Sequence, residues 1–150
     1  MGLFQAFDIS ASGMTAERFR MDTIAQNIAN INTTRTEDGT PYRRKIVTFA
    51  EKTETPFSQY YETARARAVG NGVKVTSVKE DDETEMRMVY DPSHPDADEN
   101  GYVTYPNVNT VTEMTNLIDA TRAYEANTTA FDATKSMVQA ALNISKYGKA

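Results

Sequence analysis

Asp96-Ala97-Asp98-Glu99-Asn100-Gly101 is the stretch of this chain whose residue types and spacing come nearest to ion chemistry. Oxygen ligands at the first, third and fifth positions, followed by Gly at the sixth, match the opening half of an EF-hand calcium loop. The second half departs from it. The twelfth position, where a bidentate Glu is needed, is Asn107, and Pro106 precedes it. Pro92 and Pro95 also oppose a helix running directly into Asp96. The plainer reading is an acidic turn closed by a Gly at positive φ. A calcium-binding module using the Asp96–Gly101 loop stands as an alternative of a different class.

Other groups offer less. His94, the single histidine, lies in Asp91-Pro92-Ser93-His94-Pro95, and the chain has no Cys. One imidazole without thiolates does not make a usual zinc site, and no triad partner is in view. Gly70-Asn71-Gly72 lacks the third Gly of a phosphate loop and precedes a strand pattern, so it reads as a turn. The acidic run Glu80 to Glu83 reads as a solvated cluster. The tripeptides beginning at Asn127 and Asn143 match a glycosylation acceptor but fall inside a helical pattern. No catalytic residue, cofactor site or metal site is therefore assigned.

Asn27 and Asn30 pose a different question. They stand three apart on one helix face beside Ile24, Ile28 and Ile31. They are either a polar face with a helix stop, or a polar device inside a packed seam that fixes its register at some cost in stability. The residue pattern leaves both open.

The elements that position these groups lie mainly at the two ends. Phe4 to Asn30 carries an apolar row at three-and-four spacing: Phe7, Ala11, Met14, Met21, Ala25 and Ile28, with Ile24 and Ile31 beside it and Arg18 interrupting. Val111 to Tyr147 carries a second: Met114, Leu117, Tyr124, Phe131, Val138 and Leu142. The spacing of Thr110 and Glu113 predicts a capping box, and Gly148 a C-cap. The second helix would be roughly 55 Å long at 1.5 Å per residue, too long for one small globule.

Between them, Tyr42 to Ala50 reads as a strand. The alternating runs Val73–Val78 and Met86–Tyr90, separated by an acidic turn, imply a β-hairpin or small sheet. Residues 51–68 show no period and read as a loop. Asp91 to Asn109 reads as a turn-filled connection. The expected class is mainly α with a small β portion. Segments 1–34 and 108–150 pair as a discontinuous helical coiled-coil domain around a central strand and loop segment, 35–107.

Composition narrows the function. The 150 residues hold 39% hydrophobic residues and a formal net charge of −5. Such a chain is a poor binder of nucleic-acid backbone, which calls for massed Lys and Arg. Its apolar rows, rich in Thr, Ala and Met, suit close and adaptable helix contacts better than a self-sufficient core. Those rows must pair with each other, with copies of the chain or with sister chains. That is the behaviour of an assembly subunit and not of an enzyme. Neither a secretory signal pattern nor a membrane-length apolar run is present, so export would need a route without a cleaved signal.

The residues also carry a resemblance. Asp22-Thr23-Ile24-Ala25-Gln26-Asn27-Ile28-Ala29-Asn30-Ile31-Asn32-Thr33, with Ser12-Gly13-Met14 before it, resembles the N-terminal signature of bacterial flagellar rod and hook proteins. Pro41-Tyr42-Arg43-Arg44-Lys45, Tyr90 through Asp98, Tyr105 through Asn109, and Ala120 through Asn127 narrow the likeness to proximal-rod members of that family. The resemblance implies a structural subunit of the flagellar basal-body rod. Its terminal helices would pair as a coiled coil and polymerise into the axial driveshaft of motility, with itself and other rod proteins as partners. It also implies delivery by the flagellar type III export apparatus, with no nucleic acid or small-molecule substrate. Another axial component of the same family is the nearer alternative. The implied assembly residues are Phe7, Ala11, Met14, Met21, Ile24, Asn27, Ile28, Asn30, Ile31, Met114, Leu117, Tyr124, Phe131, Val138 and Leu142.

Overall fold

A computed structural model describes residues 3–52 and 70–147. Helix α1 runs Leu3–Ala29 and helix α2 runs Thr110–Tyr147. Four short strands lie between them: β1 (Lys45–Glu51), β2 (Val73–Glu80), β3 (Arg87–Tyr90) and β4 (Tyr102–Tyr105). The class is mainly helical with a small β portion, as the sequence patterns predict. The loop reading of residues 51–68 falls, from residue 53 onward, outside the described residues, as does the Gly148 cap.

The strands pair differently from the expected hairpin. β1 pairs with β2, and β3 pairs with β4 in antiparallel register, Tyr90 opposite Tyr102 and Val89 opposite Val103. The two alternating runs, Val73–Val78 and Met86–Tyr90, belong to separate sheets. The cause is Asp81. Its N–H donates to the Arg44 carbonyl at 2.8 Å, extending the β1–β2 pairing. Its carboxylate then accepts the Glu83 and Thr84 N–H groups, at 3.2 and 3.0 Å. That turn directs the chain away from β2 before β3 begins.

The helix ends are set locally. Asn30 closes α1: its side-chain amide donates to the Gln26 carbonyl at 2.9 Å, and Thr33 Oγ1 donates to its oxygen at 3.1 Å. At the start of α2 the cap is Asn109, not Thr110. Its Oδ1 accepts the Val111 and Thr112 N–H groups at 2.9 and 3.3 Å. Asn is at least as good a cap as Thr, and it frees Glu113 for other use.

The chain forms two compact units. The first comprises Met1–Arg18, Phe49–Thr76 and Thr121–Ala150. In it the helices run antiparallel in contact. Phe7 meets Phe131 edge-on, with centroids 4.8 Å apart. Gly13 faces Asn127 so closely that an added Cβ would lie 2.8 Å from Asn127 Oδ1. Thr128 Oγ1 donates to Met14 Sδ at 3.4 Å. Most hydroxyls on the helices bond their own backbone: Thr15 to Ala11, Thr128 to Tyr124, Thr129 to Glu125 and Thr134 to Ala130. The chain at 70–73 is pinned to α1, since the Val73 N–H donates to Ser12 Oγ at 3.0 Å while that hydroxyl donates to the Ile9 carbonyl at 2.7 Å.

Gly72 permits this docking. Its φ is +98°, and an added Cβ would meet Ser12 Oγ at 2.2 Å. Gly72→Ala is expected to destabilise the chain by about 2–3 kcal/mol, combining left-handed strain with the clash. A drop in thermal midpoint of several degrees, followed by circular dichroism, checks this.

The second unit comprises Phe19–Thr48 and Ser77–Ala120. Its core is small: Ile24, Val103, Val108 and Ala120 are its buried apolar residues, beside buried Thr23, Asn27, Asp81, Asn107 and Glu113. Polar groups thus hold much of its interior, and each must be hydrogen-bonded to be tolerated.

Candidate functional site

The densest arrangement of buried polar chemistry lies in the second unit, where Asn27, on the last turns of α1, meets Glu113, in the first turns of α2. Asn27 is 1% exposed. Its amide nitrogen donates to the Lys45 carbonyl at 2.9 Å and to Glu113 Oε2 at 3.0 Å. Its oxygen accepts the Tyr42 hydroxyl and the Lys45 N–H, both at 2.9 Å. Two donors and two acceptor lone pairs are the full capacity of a carboxamide, and all four are used. Of the two readings left open for the asparagines, Asn27 is therefore a buried device and Asn30 a helix stop.

Glu113, also 1% exposed, accepts Arg44 Nε at 2.8 Å through its other oxygen. Arg44 extends on to Asp81 Oδ2 at 3.5 Å. Asn107 completes the ring, accepting the Arg44 N–H at 2.8 Å and donating to the carbonyls of Asp81 and Thr84 at 2.8 and 3.2 Å. Two nearly buried carboxylates thus share one guanidinium. The knot ties α1, the entry to β1, the turn after β2 and the start of α2 together.

Its electrostatics follow from these bonds. The Asp81 carboxyl is held below the usual carboxylate range, chiefly by the Thr84 N–H and hydroxyl, with the Glu83 N–H and Arg44 adding to this against the opposing effect of burial. The Tyr42 hydroxyl is pushed up, first by burial and then by the charges of Glu80 and Glu113. A depressed folded-state carboxyl contributes stability that is present above its ordinary pKa of about 4 and lost as pH falls through the folded value. Asp81→Asn should therefore lower stability at neutral pH and flatten the acid limb of a stability–pH curve, measured by urea unfolding between about pH 3 and 7.

The remaining sequence-derived candidates are placed as follows. Ile24 is buried; Phe7, Ala11, Met14, Met21, Ile28, Asn30, Ile31, Leu117, Tyr124, Phe131 and Val138 are half-buried; Met114 and Leu142 are exposed. The acidic loop turns its carboxylates to protein donors. Asp96 accepts Thr34 Oγ1 at 2.8 Å and lies 3.7 Å from Arg35. Asp98 accepts the N–H groups of Asn100 and Tyr102, and Gly101 sits at φ +81°. This is the acidic turn with its left-handed Gly, and nothing in it supports the calcium alternative. His94 Nδ1 accepts the Asp96 N–H at 3.1 Å, a structural role in the same turn. Arg44, Asn107 and Asp81 were not singled out from the sequence. Their only sequence signal is an Arg beside a strand and an Asn and an Asp in turns.

An antiparallel pair of terminal helices, locked by a polar knot and carrying a small outer sheet, is the design of an axial building block. Two family models match it: "Flagella basal body rod protein" over residues 7–35, and "Flagellar basal body rod FlgEFG protein C-terminal" over residues 99–144. Among curated proteins it is similar to the flagellar basal-body rod protein FlgC of Borreliella burgdorferi, 44% identical over 96% of this chain and 98% of the relative. FlgC of Bacillus subtilis is 45% identical over 97% of this chain and all of the relative, and that of Salmonella typhimurium 40% over 96% and 98%. The chain belongs to the FlgC family of flagellar basal-body rod proteins. Its role is structural, as a subunit of the rod of the flagellar basal body.

Proposed function

We propose that this subunit polymerises through its terminal segments, 1–34 and 108–150, into the axial driveshaft of the rod, with copies of itself and other rod proteins as neighbours. The observation that carries the reading is apolar surface left uncovered on α2: Val111 is 74% exposed, Met114 56%, Ile118 55%, Met137 62%, Leu142 60% and Ile144 73%. A helix of 38 residues with one face against α1 and large apolar groups on others needs further helices to cover it.

In this reading the half-buried row from Phe7 to Ile31, facing Leu117 to Val138, is a coiled-coil seam, and the knot at Asn27 fixes its register. The chain needs no catalytic group, cofactor or small-molecule substrate, and its net charge of −5 suits no nucleic-acid partner. Among the described residues no helix is long and apolar enough to cross a membrane. Export by the flagellar type III apparatus without signal cleavage agrees with helices that reach full burial only on assembly. Electron microscopy of basal bodies from an in-frame deletion strain tests the proposal. Non-motile cells whose basal bodies lack a rod beyond the membrane rings are expected. A complete rod and hook would overturn it.

A further inference from the structure

Two outward helix faces have matching chemistry. On α1, Thr15, Arg18, Asp22, Ala25 and Ala29 recur at three-and-four spacing and are all exposed. On α2, Val111, Met114 and Ile118 form an exposed apolar row that continues into exposed Arg122 and Glu125. The α1 face offers small residues at one end and charges at the other; the α2 face offers large apolar residues and then charges. None of Arg18, Asp22, Arg122 and Glu125 has an ion-pair partner among the described residues.

We infer that α1 of one copy docks antiparallel on the outward face of α2 of a neighbouring copy. This rests on the rod reading and names the contact within it. One alignment satisfies both faces. Arg18 of one copy meets Glu125 of the next, Asp22 meets Arg122, Ala25 receives Ile118 and Ala29 receives Met114. Charges of opposite sign pair, and each large side chain enters a gap left by alanine. The contact is heterologous: each copy uses its α1 on one side and its α2 on the other, so the assembly grows with polarity and does not close as a two-fold dimer.

The same alignment sets an axial step. Within one chain Gly13 faces Asn127 and Asn27 contacts Glu113, which puts Arg18 level with Arg122. Between copies Arg18 is level with Glu125, and Asp22 with Arg122. Neighbours are therefore offset by three to four residues, roughly 5 Å along the helix axis at 1.5 Å per residue.

The chain has no cysteine, so engineered thiols report cleanly. In cells making the full chain with both Arg18→Cys and Glu125→Cys, mild oxidation should convert the rod-bound protein into a ladder of dimers and higher multimers. Arg18→Glu alone should abolish swimming, and adding Glu125→Arg should restore it. A motile double-cysteine strain whose rods contain the protein only as monomer, as an internally bridged chain or joined to a different rod protein would overturn the alignment. So would unimpaired swimming of the Arg18→Glu strain. If the unaltered chain were missing from purified rods, the rod reading itself would fall.

Discussion

Glu113→Ala is expected to lower the unfolding free energy by about 3–5 kcal/mol, the cost of removing one partner of a buried ion pair. Arg44 would keep its charge in a pocket where its nearest remaining carboxylate oxygen, on Asp81, is 3.5 Å away. Asn27 would lose an acceptor 3.0 Å from its amide nitrogen. The loss should be shared across the knot. Asn27→Ala in the same background should add much less than it costs alone, because the two residues act on one network. Urea unfolding of the two single variants and the double variant measures the coupling. Independent, additive losses would mean that the four elements are held by the small apolar core and not by the knot. Tyr42→Phe is the mild control, since Asn27 Oδ1 keeps its bond from the Lys45 N–H and the loss should be about 1 kcal/mol.

Phe131→Asp carries the second large effect. Phe131 is half-buried against the edge of Phe7, so the change removes an aromatic contact and places a carboxylate in an apolar seam. A loss of about 2–4 kcal/mol is expected, less than for a fully buried phenylalanine but with a desolvated charge added. In cells the variant should still be secreted, because export does not require the packed seam, yet fail to enter the rod. Immunoblots of the export fraction and of purified basal bodies separate the two steps. Loss of the protein from the exported fraction would show that this stretch of α2 acts in export as well.

The helices were legible because their apolar rows have the helical period, and Phe7, Met14, Phe131 and Val138 can be read in line. What the rows do not encode is which polar residues will meet. Asn27, Arg44, Asp81, Asn107 and Glu113 are scattered along the chain, and each alone looks like a turn or surface residue. Glu113 shows how a local signal misleads. Its spacing from Thr110 fits a capping box, but Asn109 caps better and the carboxylate is drawn inward by Arg44. The strands mislead in a related way. Alternation marks Val73–Val78 and Met86–Tyr90 as strands, but a two-fold period carries no information about partners. The decision between neighbours came from the bonds of Asp81, a long-range arrangement invisible in the pattern.

The hydroxyls that bond their own helix have a mechanical consequence. Thr15, Thr128, Thr129 and Thr134 each satisfy their hydrogen-bonding capacity within one helix. In the first unit, slip between α1 and α2 would thus break few directional bonds and meet mainly the resistance of packing. At Asn27 the amide bonds to α2 and to the start of β1 must all stretch together. A shear load on this subunit would therefore find compliance in one unit and a stop in the other, much as a sliding joint is limited by a pin.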